Sequence, residues 1–254
     1  MFRQSIPNVT KNLLIINGLF FLASYVFGER GIALAHTLGA FYPESVNFKP
    51  WQIITHMFMH APFPNISHIL FNMFALWMFG STVEHTLGSK RFLILYFVAG
   101  LGSFALFNFT NYLQIEELKT AVVAMGVEPD SFLQTIKLSG SPNYSFELPN
   151  SSEEVKTLAR YYITPMVGAS GAIYGILVAF GMLYPNARLA LIFLPIPIKA
   201  KYFIPALIAL EFFMAIQDYA WNPVAHFAHI GGAIIGFILI RRWKRNLHRG
   251  NYYD

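Results

Sequence analysis

The 254-residue chain is 55% hydrophobic and only 12% charged, with 25 Phe and a mean hydropathy of +0.46. A water-soluble domain is charged at about a quarter of its residues, so composition excludes an ordinary soluble globule and predicts a polytopic membrane protein. With no cysteine, disulfides, thiol nucleophiles and thiolate metal sites are excluded, and the net charge of +5 flanks apolar runs, arguing for topology and membrane contact rather than nucleic acid.

A span needs about 20 mainly apolar residues. The first is predicted over 9–27; the run is longer than a signal-peptide core and lacks a small-x-small cleavage site, so it reads as retained. Residues 28–65 are too broken by Pro to span, and 51–59 are amphipathic, as expected of an interfacial segment. The second and third spans are predicted over 66–83 and 92–109. Residues 111–164 hold most of the acidic groups and read as an extramembrane insert with some helix. Spans four to six are predicted over 166–184, 202–216 and 224–240. The expectation is one all-α membrane domain, 1–254, of six transmembrane helices.

Charge sets the orientation. Lys90, Arg91, Arg188, Lys199, Lys201 and the run Arg241-Arg242-Trp243-Lys244-Arg245 share one side with both termini. Glu44, Glu116, Glu117 and most other acids lie opposite. The positive-inside rule then predicts cytoplasmic termini. A bacterial cytoplasmic (inner) membrane is the expected location.

Polar groups inside spans are costly and point to function. The second span opens with His68 and Asn72, four apart on one helix face. The fourth opens with Gly168-Ala169-Ser170-Gly171, followed by Tyr174. The sixth carries His226, His229, Gly231, Gly232 and Gly236. A serine hydroxyl needs a base within hydrogen-bond reach, and histidine is the candidate in the sixth span. Small residues would let these two helices approach closely. Backbone N–H groups at Ala169 and Ser170, near a helix start, suit a developing oxyanion. His68 and Asn72 can add side-chain donors. With no carboxylate in the fourth or sixth span, the expected site is a Ser–His dyad in which Tyr174 orients the imidazole by stacking.

Gly168-Ala169-Ser170-Gly171 resembles the nucleophile motif of rhomboid intramembrane proteases. Ala228-His229-Ile230-Gly231-Gly232, followed by Gly236, resembles their base motif, and His68-x-x-x-Asn72 is similar to the oxyanion pair of their second span. The resemblance runs over essentially the whole chain. It implies a six-helix bundle that hydrolyses peptide bonds in or near transmembrane segments of other proteins, without cofactor or metal. It implies Ser170 as nucleophile, His229 as base, and His68, Asn72 and Ala169 as oxyanion donors, with Tyr174, Gly168, Gly171 and Gly232 supporting them. The chain departs from the family at Gln52, where Arg often follows the first-loop Trp, and in its long insert.

Rival readings exist. His226, one turn before His229, is an alternative base. His56 and His60 could clip a metal, with His68 as a third ligand, although loop hydrogen bonding is the plainer role. Glu84 reads as an anchor for the turn that follows it. Glu211, inside the fifth span, has no assignable partner. Asp218 could help orient His229. A non-catalytic rhomboid-like protein binding membrane helices is the alternative function, and a channel or transporter a third class. Nothing in the sequence sets an oligomeric state.

Overall fold

The structure is a computed structural model that describes residues 5–127, 152–191, 194–217 and 225–250. Helix α1 is Asn8–Gly28. The first loop carries α2 (Leu34–Leu38) and α3 (Gln52–Thr55), which tightens into a 3₁₀ turn at His56–Phe58. Helix α4 (Ser67–Ala75) passes through a π turn (Leu76–Gly80) into α5 (Ser81–Leu87). Then follow α6 (Ser89–Ala124), α7 (Glu153–Ile163), α8 (Ser170–Leu183), strands β1 (Arg188–Leu191) and β2 (Leu194–Lys199), α9 (Ala200–Gln217) and α10 (His226–Gly250). Among the described residues α1, α6 and α9 are long and apolar enough to cross a membrane, and α8 is a shorter apolar helix.

The fold is mostly helical, as expected, and differs from the sequence expectation in three details. A short antiparallel hairpin, β1 with β2, stands between α8 and α9. Pro195 and Pro197 stand two apart there; they exclude a helix and are tolerated on an edge strand. Helix α6 does not stop near 109 but continues to Ala124, at 1.5 Å per residue about 54 Å, well beyond the apolar thickness of a bilayer. Its last turns present Ile115 and Val122 to Val155, Leu158, Ala159 and Tyr162 of α7 and to Tyr42 of the first loop, a second small core. The ends of the insert are thus folded onto the first loop; Ser45 Oγ donates to the Tyr162 carbonyl at 2.6 Å. Ser152 caps α7 by accepting from Val155 N, and Glu153 and Glu154 in the first turn favour the same end. Finally, α8 begins at Ser170 rather than at 166.

Helix α8 is the centre of the main core. Gly171, Ala172, Ile173 and everything from Gly175 to Phe180 are buried, as expected of a helix that is apolar all round. Its contact with α10 is backbone against backbone. A Cβ added at Gly232 would lie 1.8 Å from the Gly171 carbonyl oxygen, and one at Gly236 only 2.4 Å from that of Gly175. No larger residue fits between these helices without moving them apart.

Two buried polar side chains tie the periphery together. Glu84 accepts from Val9 N and Ser89 Oγ through Oε1, and from Thr10 N and Thr10 Oγ1 through Oε2, at 2.7–3.0 Å. The following turn is anchored, as expected, and the start of α1 is capped as well. Gln52 is fully buried and uses its whole amide: Oε1 accepts from Phe41 N and Lys49 N, and Nε2 donates to the Thr37 and Asn47 carbonyls. This neutral network occupies the position where a charge was expected from the resemblance.

Candidate active site

Ser170 is the first residue of α8 and His229 lies in the first turn of α10, and the Gly171–Gly232 contact brings these two helix starts together. His229 Nε2 is 2.8 Å from Ser170 Oγ. The His229 ring stacks on Tyr174, one turn along α8, at 4.3 Å between centroids and 7° between planes. His229 is 8% exposed.

The expectation that no acid reaches the pair is corrected. Glu211, on α9, places Oε2 2.9 Å from His229 Nδ1 and 2.6 Å from His226 Nδ1, and its Oε1 accepts from the Tyr174 hydroxyl. In the sequence Glu211 stands out as a carboxylate inside an apolar span, a signal in itself, but its partners lie on other helices and depend on how these pack. His226 faces Glu211, while Ser170 takes its contact from His229. Asp218 lies outside the described residues.

The other wall comes from the first loop and α4. The stretch before Ser170 is pinned: Ala40 and Met166 exchange backbone hydrogen bonds, and Gly168 N donates to the His56 carbonyl at 3.0 Å. Gly168 has φ +133°, which admits glycine almost alone, and its missing side chain leaves room for His68. A Cβ there would be 3.1 Å from His68 Nε2 and 3.5 Å from Ser170 Oγ. His68 Nδ1 accepts from Ala61 N at 3.2 Å. In the neutral ring the proton therefore resides on Nε2, the nitrogen that faces Gly168. Asn72, 7% exposed, spends one amide N–H on the His68 carbonyl at 2.7 Å. Ala169 and Ser170 stand where helix geometry leaves backbone N–H groups without intrahelical acceptors.

Behind this wall, burial pulls His56 down to about 4 and His60 to about 3, with His68 adding to the effect at His60. Both are neutral at pH 7. His56 Nδ1 meets the Gln52 carbonyl at 2.8 Å, and the His60 ring packs edge-on to His68. The His68 Nδ1 bond to Ala61 removes that nitrogen from any three-histidine metal set. Glu211, His226 and His229 do converge, with ligand atoms within 4.8 Å of one another. A metal there would have to displace both N–H···O bonds to Glu211.

A serine and a histidine meet at two helix starts in a mostly helical chain with membrane-length apolar helices, as expected of a polytopic membrane protein. The Rhomboid domain family matches residues 47–127 and 138–244, and the chain belongs to the rhomboid family. It is 25% identical over 218 residues to an uncharacterized mitochondrial rhomboid protein of Schizosaccharomyces pombe, covering 77% of this chain and 52% of that protein. It is 30% identical over 173 residues to the mitochondrial presenilin-associated rhomboid-like protein of Homo sapiens, covering 68% and 33%. A 63-residue stretch, 24% of this chain and 12% of the relative, is 43% identical to the rhomboid protease GluP of Bacillus subtilis. The chain thus spans about half or less of these relatives' lengths. The expected bacterial cytoplasmic membrane is corrected by the first two, whose mitochondrial designations point to a mitochondrial membrane. The assignment of both termini to the cytoplasm lapses with it.

Proposed function

We propose that this chain is an intramembrane serine endopeptidase, a single membrane domain in which α1, α4 with α5, α6, α8, α9 and α10 cross the bilayer. Its substrates are transmembrane segments of other proteins. The observation that carries the reading is the 2.8 Å contact between Ser170 Oγ and His229 Nε2. A serine hydroxyl becomes nucleophilic when a base can take its proton at this distance.

In the proposed reaction Ser170 Oγ bonds to the scissile carbonyl carbon while its proton passes to His229 Nε2. The carbonyl oxygen gains charge and is held by the Ala169 and Ser170 N–H groups, His68 Nε2–H and the remaining N–H of Asn72. His229 then protonates the leaving amine as the C–N bond breaks, and water releases the acyl group through the same base. The orientation of His68 supports its share of this work, because the bond from Ala61 leaves Nε2 as the donor. The resemblance and the family membership support the assignment of roles.

A fluorophosphonate probe tests the reading without knowledge of a natural substrate. The full chain in detergent should be labelled at Ser170, and the Ser170→Ala and His229→Ala variants should lose the label. Equal labelling of all three would contradict it, and a folded wild type left unlabelled would favour a non-catalytic membrane-helix binding protein.

A further inference from the structure

We propose that Glu211 is the positioning acid of this site, so that Ser170, His229 and Glu211 form a relay drawn from three different helices. The inference rests on the endopeptidase reading and deepens it.

Glu211 shares the packed face of α9 with Ile204, seven residues before it, and Ala215, four residues after it, whereas its neighbours Leu210, Phe212 and Phe213 are all more than half exposed. An apolar residue would satisfy such a position for packing alone. A carboxylate buried among apolar helices is strongly unfavourable unless its oxygens are compensated. Here three donors converge on it: His229 Nδ1–H and His226 Nδ1–H on Oε2, and the Tyr174 hydroxyl on Oε1.

A neutral imidazole carries one proton, and a carboxylate oxygen 2.9 Å from Nδ1 holds it there. Nε2 is then left with its lone pair, directed at Ser170 Oγ. Without the acid nothing on the Nδ1 side prevents the reverse tautomer, in which Nε2–H points at the serine and cannot accept its proton. After proton transfer the ring becomes imidazolium, and the same oxygen faces the new charge.

Tyr174 stacks on His229 and also donates to Glu211, so one side chain fixes the plane of the ring and the position of the acid. His226 supplies a second donor to Oε2 and holds the carboxylate from the same helix as the base.

The test uses the full chain, reconstituted with a single-span substrate, and compares wild type with Glu211→Gln and Glu211→Asp. Glu211→Gln should lower kcat by about 100-fold or more with KM changed less than about 3-fold, the signature of a misoriented base. Glu211→Asp, which keeps the charge, should recover at least a tenth of wild-type kcat. In ¹⁵N ring spectra of histidine-labelled wild type, the His229 signals, assigned by their loss in His229→Ala, should report a proton on Nδ1. A Glu211→Gln kcat within about 3-fold of wild type, or a wild-type His229 protonated on Nε2, would overturn the proposal. If Glu211→Gln does not fold, the ring spectrum of wild type alone decides. Failure of wild type to cleave would instead count against the endopeptidase reading, and the spectrum would still test Glu211.

Discussion

Glu84 caps a helix 75 residues away in sequence, where α1 has no side-chain cap of its own. Four hydrogen bonds converge on its carboxylate, and the residue is 2% exposed. Bonds to a charged acceptor contribute more than neutral ones, and stranding the α1 donors adds a desolvation cost. Glu84→Ala should therefore destabilise the fold by about 2–4 kcal/mol, read as a lower midpoint in denaturant unfolding. Unchanged unfolding would mean that water replaces the cap. At this scale the sequence was uneven. Ser170, His229, His68 and Asn72 stand out because a polar residue in an apolar span is costly, and each has a recognisable spacing. The partners of Glu84 and Glu211 do not stand out, since both are set by which helices pack together. His226 and His229, three apart on one face, could not be told apart by spacing; the register of α10 against α8 separates them.

Among elements, the α8–α10 contact controls the site, because it fixes the separation of the two helix starts. Gly232 is the tightest point, with only 1.8 Å from an added Cβ to the Gly171 carbonyl oxygen. Overpacking a close contact costs about 1–3 kcal/mol. Gly232→Val should lower thermal stability by that order and reduce cleavage at least about 10-fold, because a shift of about 1 Å misplaces the base. A stable, fully active Gly232→Val would show that α10 does not set the geometry. Helix positions were legible from apolar runs, but their ends were not. Hydropathy reports lipid compatibility, whereas α6 continues through Asn111 and Gln114 because no breaker intervenes and α7 packs on its far end. The β-hairpin was missed for the opposite reason. Its residues are as apolar as a span, and only the two prolines forbid a helix.

For the whole molecule, two buried neutral histidines couple folding to pH. His56 and His60 are each 1% exposed, and their folded values, about 4 and about 3, lie below the ordinary 6.5. The unfolded chain thus binds more protons than the folded one in this window, so stability increases with pH. Their contribution is complete above about pH 6.5 and declines as pH falls toward 4. Unfolding followed between pH 7 and pH 4.5 should show this loss, and His60→Phe should flatten the slope. A wild-type stability that does not change over that interval would contradict the burial account. These histidines lie directly behind His68 and Gly168, so acid damage should reach the site before the lipid-facing helices separate. The family was legible in the sequence because its motifs fall in order on the second, fourth and sixth predicted spans. The membrane in which the chain resides was not, since charge asymmetry reports sidedness and leaves the organelle open.

Whether Ser170 is a nucleophile activated by His229 is decided by cleavage of a single-span substrate co-reconstituted with the purified chain in liposomes, followed by gel and mass spectrometry. Wild type should produce two fragments cut within or beside the span, and Ser170→Ala should leave the substrate whole. Fragments produced at an equal rate by Ser170→Ala, or an intact substrate with folded wild type, would contradict the account.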